Sequence, residues 1–139
     1  MYANDERFPI GGSKILMRSK EDRATVIGAG ITVHEALKAG EMLAAEGIRV
    51  RVIDAYSVKP VDRATILASA KETGGKVIVV EDHYEEGGLG DAVLNAVGNA
   101  AQVVKLAVRE IPRSGPPEAL LDAYGISSKH VAKAVKSLL

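Results

Sequence analysis

The chain has no cysteine and no tryptophan, and its only aromatic residues are four tyrosines and one phenylalanine. Without cysteine it forms no disulfide, no thiolate zinc or iron–sulfur site and no cysteine nucleophile. So few rings also argue against a base-stacking or carbohydrate platform. Neither sign of charge is in excess, because 18 Lys and Arg balance 18 Asp and Glu for a formal net charge of +0. The basic surplus that drives nucleic-acid binding is missing, so neither DNA nor RNA is expected as a partner. Long hydrophobic runs are absent too: the longest run of branched aliphatic residues, Val77 to Val80, is far shorter than the roughly 20 residues of a membrane-spanning helix. Met1 to Pro9 hold no apolar stretch of secretory length, and a cytoplasmic protein without membrane contact is expected. What remains is 139 residues, 47% hydrophobic and 26% charged, the size and composition of one α/β-type domain.

A β-rich run, a glycine turn and a helical pattern recur along the chain. That rhythm predicts a parallel sheet with crossover helices. Strands are expected at Ser13 to Arg18, Ala24 to Ala29, Ile48 to Asp54, Val77 to Glu81 and Val103 to Val108. The first carries charges near both ends, as an edge strand does. Val77 to Val80 is apolar on both faces and belongs inside the sheet, covered on both sides. Val33, Ala36, Leu37, Gly40, Leu43 and Ala44 form the stripe of a first helix, with Thr32 as N-cap, Glu35 completing a capping box, and Gly47 as the stop. A second helix is expected after Asp62, burying Ile66, Leu67 and Ala70, and a third from about Asp91. Pro116-Pro117 starts a short helix ending at Gly125, and Ser127 caps a last one. Five strands and five helices make a three-layer α/β/α sandwich.

Ligands of such sheets bind beyond the carboxyl ends of the strands, which directs attention to four segments. In the first, Gly28-Ala29-Gly30 enters a helix, and Asp54 lies 24 positions after Gly30, where a dinucleotide fold keeps its ribose acid. A nucleotide-binding domain using Gly28, Gly30 and Asp54 is therefore one reading, although Val33 stands where a third glycine belongs; a purely structural turn is the other. His34-Glu35 starts like a zinc-protease helix, but Lys38 replaces the second ligand. The second segment, Asp54 to Asp62, reads as a strand-to-helix connection through Lys59-Pro60.

The third is the most polar: Glu81-Asp82-His83-Tyr84-Glu85-Glu86, then Gly87-Gly88-Leu89-Gly90. A histidine among carboxylates suits a general base or a hard-metal site; the alternative is a loop held by hydrogen bonds or packed on a neighbouring domain. Phosphate cradling by the glycines is disfavoured by the acids around them. In the fourth, Arg109 to Pro117, Arg113 can bind an anion or pair with the acidic loop. No Gly-x-Ser-x-Gly elbow supports serine hydrolysis.

Taken in order, Val26-Ile27-Gly28-Ala29-Gly30 with Thr32-Val33-His34-Glu35-Ala36, Val58-Lys59-Pro60-Val61-Asp62, Val80-Glu81-Asp82-His83-Tyr84 with Gly87-Gly88-Leu89-Gly90, and Pro112-Arg113-Ser114-Gly115 resemble the C-terminal domain of transketolase. The resemblance covers essentially the whole chain. It implies a sheet whose first strand runs antiparallel to the rest, with residues 1–12 an arm left from an interdomain linker and 13–139 the domain. It implies a parent enzyme that uses thiamine diphosphate and Mg²⁺ to move a two-carbon ketol unit between sugar phosphates. This domain would pack there against pyrimidine-binding and diphosphate-binding domains in a homodimer. The family's Gly-Asp-Gly signature for diphosphate and metal is absent, since Gly90-Asp91 is followed by Ala92. No catalytic, cofactor or metal residue carries over, and the chain alone is expected to be inactive. Glu81, Asp82, His83, Tyr84, Gly87, Gly88, Gly90 and Arg113 are then expected at an interdomain or subunit interface. A split product of this length would be unusual in the family, which favours an excised domain.

Overall fold

Alternation along the strands sends successive apolar side chains to opposite faces of one sheet. In the computed structural model, which describes Met1–Leu139, Ala24 and Val26 join one core while Ile27 joins another. Ile78 and Val80 divide from Val77 and Val79 in the same way. The first core is closed by α1 (Ile31–Ala45) and α5 (Ser128–Leu138), to which α4 (Pro117–Ala123) adds Leu121. The second is closed by α2 (Arg63–Glu72) and α3 (Leu89–Val97). The three layers are those expected. Each fully buried Val or Ile contributes about 1.5–3 kcal/mol, so the two cores dominate the stability of the sandwich.

The strands are β1 (Lys14–Met17), β2 (Asp22–Gly28), β3 (Arg49–Asp54), β4 (Lys76–Tyr84) and β5 (Gln102–Val108), in the order β1-β3-β2-β4-β5. Only β1 runs antiparallel, along the outer edge of β3. Val77 to Val80 lie wholly buried between β2 and β5. From β2 the chain passes to β3 on one side and then returns to β4 on the other. The loops after β2 and β4 therefore diverge, which is where an open sheet of this kind leaves a crevice.

Local capping signals were followed at some ends and overridden at others. Asp62 accepts the Thr65 N–H at 3.0 Å, and Gly47, with φ 78°, ends α1, both as expected. The capping box at α1 does not form. Gly30, with φ 61°, turns the chain so that the helix starts at Ile31, which places Thr32 inside the first turn. The buried Thr32 hydroxyl donates to Val80 O at 2.8 Å and so ties α1 to β4. Glu35 is left to reach another helix: its carboxylate accepts the Ser128 N–H at 2.8 Å and pairs with Lys38 at 2.8 Å. Ser127 is the N-cap residue of α5, but its hydroxyl bonds Asp122 and His130 instead of the helix amides. The cap expected from Ser127 comes from Glu35.

Burial pushes the Glu35 carboxyl up, but hydrogen bonds from Lys38 and Ser128 outweigh it and hold the group below its ordinary 4.5. A carboxyl depressed in the folded state contributes stability above its unfolded pKa and loses it as pH falls through the folded value. Glu35→Gln is expected to lower Tm by a few degrees at neutral pH, and the gap from wild type should narrow as pH falls below about 4.5. Thermal unfolding across a pH series checks this. A gap constant down to pH 3 would remove Glu35 as the charged cap of α5.

Candidate functional site

β4 runs three residues beyond the expected end, because Tyr84 still pairs with Val108 of β5. Glu81, at the expected end of the strand, is turned inward. Its buried carboxylate accepts the Leu89 N–H at 2.6 Å and the Gly90 N–H at 2.9 Å. These are orphan donors of the first turn of α3, so Glu81 is the cap of that helix. With the cap supplied from β4, α3 begins at Leu89 rather than near Asp91. Asp91 instead accepts the Gly87 N–H at 2.7 Å and a Lys105 hydrogen bond at 3.0 Å.

Two cations pin the acidic loop. Lys105 Nζ also donates to Glu85 O at 2.8 Å, and Arg109 holds the Glu85 carboxylate through two bonds of 2.8 and 3.1 Å. The Arg109 guanidinium holds Glu85, and the Gly87 amide with Lys105 holds Asp91, below the usual carboxylate range. That is the direction of a structural ion pair. A general acid needs the opposite shift.

The pairing expected of Arg113 thus belongs to Arg109. The Tyr84 and Val108 register puts Glu85 and Arg109 one step further along adjacent parallel strands, whereas the Arg113 side chain stays exposed. Only the Arg113 backbone is engaged, its N–H donating to the Tyr124 hydroxyl at 2.7 Å. His83 is exposed, and its Nδ1 lies 2.8 Å from Tyr84 O. Glu81, His83 and Gly88 are brought together, since a Cβ on Gly88 would meet both side chains. Asp82 and Tyr84 stand exposed at the end of β4.

Asp54, the ribose acid of the nucleotide reading, is buried and accepts the Tyr2 hydroxyl at 2.6 Å. Burial and Asp54 push the Tyr2 hydroxyl up, so that proton stays in place. Tyr2 belongs to an arm of residues 1–12 that Phe8 packs down by edge-to-face contacts with Tyr2 and Tyr56, each at 4.9 Å. The Gly11 N–H donates to Ser57 Oγ at 2.9 Å. The carboxylate is therefore not presented to a ligand. Sequence reasoning missed Tyr2, Lys105 and the reach of Glu81 and Glu35 to other helices, because each contact joins segments distant along the chain. The Glu85 and Arg109 pair had a signal in the strand register, once β4 is extended to Tyr84.

Residues 13–131 match the model of the family described as transketolase, C-terminal domain. The chain belongs to this family. Among its relatives are mouse transketolase-like protein 2, 52% identical over 138 residues covering 98% of this chain and 22% of that protein. Human transketolase is 48% identical over 141 residues, covering 100% and 23%. The transketolase C-terminal domain thus accounts for the chain, which spans less than a quarter of these relatives' length. Of solved structures, a split gene transketolase described as an inactive beta4 tetramer superposes with a TM-score of 0.89 at 38% identity, over 98% of this chain and 45% of that one. Campylobacter jejuni transketolase, at 19% identity and a TM-score of 0.64, over 91% of this chain and 18% of that one, shares the fold.

Proposed function

We propose that the chain serves as the C-terminal domain of a cytoplasmic, homodimeric transketolase. In that parent, thiamine diphosphate and Mg²⁺ bound elsewhere support transfer of a two-carbon ketol unit between sugar phosphates, and this domain contributes docking rather than chemistry. Its partners are then the pyrimidine-binding and diphosphate-binding domains of the same enzyme. One observation carries the reading: three carboxylates around the acidic loop are taken up within the domain. Glu81 fills the first turn of α3, Asp91 is held by Gly87 and Lys105, and Glu85 is held by Arg109.

The residues present do not fit the cofactor. The amides a diphosphate needs at Leu89 and Gly90 already bond a carboxylate, and no group of three His, Asp or Glu lies close enough to hold a metal ion. The relative described as an inactive tetramer supports the same reading, because its chain contains a counterpart of this domain and about as much again. What remains free at the carboxyl ends is exposed: Asp82, His83, Tyr84, Ile111 and Arg113. We assign these the contact with the neighbouring domain or subunit. Residues 1–12, which enter along the same end of the sheet through Tyr2 and Asp54, serve as the connecting arm.

Calorimetric titration of the chain with thiamine diphosphate and Mg²⁺ is expected to show no saturable heat, and ketol transfer from xylulose 5-phosphate to ribose 5-phosphate should be absent. Saturable binding would overturn the assignment of cofactor and chemistry to the rest of the parent.

A further inference from the structure

A hollow of about 540 Å³ opens where β4 and β5 end, between the start of α1 and α4. Val108, Leu121 and Ile126, all buried, form its floor, and Ile31 stands at its mouth. Asp82, His83 and Tyr84 enter from the end of β4, and Tyr124 from beyond α4. None of these residues takes part in the cap and ion pairs that hold the acidic loop.

We propose that this hollow binds a small organic cation, an aromatic or branched aliphatic body bearing one amine. Its volume falls in the range of about 300–1,000 Å³ usual for small-molecule sites, and its lining is mostly apolar with a few convergent polar groups. Its place is right as well, outside the strand carboxyl ends and beside the reversal of strand order. A second hollow of about 430 Å³ adjoins it through Ile31, Asp82 and His83 and extends over Gly30 and Gly88, so the first is one end of a longer crevice.

The sign of the ligand follows from what the rim offers. Tyr84 O can only accept, so the His83 Nδ1 that contacts it at 2.8 Å carries the proton. In the tautomer that carries this proton on Nδ1, Nε2 is left as an acceptor. Asp82 adds an exposed carboxylate, and Tyr84 and Tyr124 add aromatic rings, side chains of the kind that attract an ammonium group. No lysine or arginine lines the hollow, and the guanidinium of nearby Arg109 is bound to Glu85. A sugar phosphate or diphosphate would meet Asp82 with no cation in the lining to offset it, the nearest free one being Arg113 beyond Pro112. The same rim faces the proposed docking partner, which makes the hollow a place where a bound ligand biases docking. The ligand assignment itself stands on the chain alone and does not depend on the parent's reaction.

Three probes with the same phenyl body separate charge from shape: 2-phenylethylamine, 2-phenylethanol and phenylacetate, each titrated into the full chain at pH 7.5 and followed by backbone amide NMR. The amine is expected to shift Ile31, Asp82, His83, Tyr84 and Leu121 saturably with a Kd of about 1 mM, ordinary for nine non-hydrogen atoms. The alcohol should bind about tenfold more weakly, one charge-assisted contact less, and phenylacetate not saturably. Asp82→Asn, at an exposed position, should weaken the amine about tenfold and leave the alcohol unchanged. Equal binding of amine and carboxylate, shifts that map away from these residues, or an amine affinity indifferent to Asp82→Asn would each overturn the proposal.

Discussion

Gly88→Ala is expected to lower the stability of the domain by about 3–4 kcal/mol, and its Tm by roughly 10 °C. The backbone conformation is not the reason, since φ at Gly88 is −96°, which alanine adopts freely. The added methyl carbon would lie 2.0 Å from Glu81 Oε2 and 2.8 Å from His83 Nδ1. Glu81 has nowhere to retreat: it is 4% exposed and bonds the amides of Leu89 and Gly90. If it moves, two charge-assisted bonds are lost and the first turn of α3 keeps unpaired donors, each costing about 1–3 kcal/mol. Gly87→Ala is the control. That residue has φ 74° and a methyl added there would meet no atom within 4 Å, so only the left-handed conformation is penalised, by about 1 kcal/mol. Thermal unfolding of both variants decides the matter. A Gly88→Ala protein no less stable than Gly87→Ala would mean that Glu81 does not hold α3.

The same contact shows what the sequence could and could not convey. Strand positions, the edge placement of β1, the start of α2 at Asp62 and the stop of α1 at Gly47 follow from apolar patterning, end charges and cap or turn residues, which act within a few positions of where they are read. Glu81, Glu35 and Tyr2 act over longer distances, meeting amides or carboxylates 8, 93 and 52 residues away. Thr32 and Ser127 have the residue types of side-chain caps, yet their hydroxyls find better partners in Val80 O and in Asp122 with His130. Tertiary contacts override local propensity wherever a buried acceptor arrives from another element. The acidic run after Val80 was legible as important but not as a cap, because that role depends on the loop after β4 folding back to bring the Leu89 and Gly90 amides onto Glu81. The register of β4 on β5, which sets where that loop begins and pairs Glu85 with Arg109, does not appear in a single sequence.

The second large effect lies at the opposite end of the sheet, away from any candidate ligand. Arg51 on β3 is 3% exposed; its Nη2 pairs with Glu72 Oε2 at 2.7 Å and its Nε stands 3.5 Å from Asp22 Oδ2. Asp22 begins β2 and also accepts the Ser19 N–H and hydroxyl, while Glu72, the last residue of α2, reaches Arg18 at 3.1 Å. One guanidinium therefore joins the turn before β2, the strand β3 and the end of α2. Arg51→Ala leaves the buried Asp22 carboxylate without its cation, leaves the half-exposed Glu72 only Arg18, and opens a cavity beneath α2. Removing one partner of a buried pair costs about 3–5 kcal/mol, so Tm should fall by roughly 10 °C or more. Arg51→Met combined with Asp22→Asn keeps the volume while removing charge from both sides, and most of that loss should be recovered, since the desolvation of the ions disappears with them. The pH dependence is a further check. Arg51 beside Glu72 holds that carboxyl below its usual range, so the cluster contributes above the unfolded carboxylate pKa and weakens as pH falls. The Tm gap between wild type and Arg51→Ala should accordingly shrink in acid. A gap below 3 °C at neutral pH, or one that grows on acidification, would show that the cluster is solvated and that the sheet and α2 are held together by their apolar contacts alone.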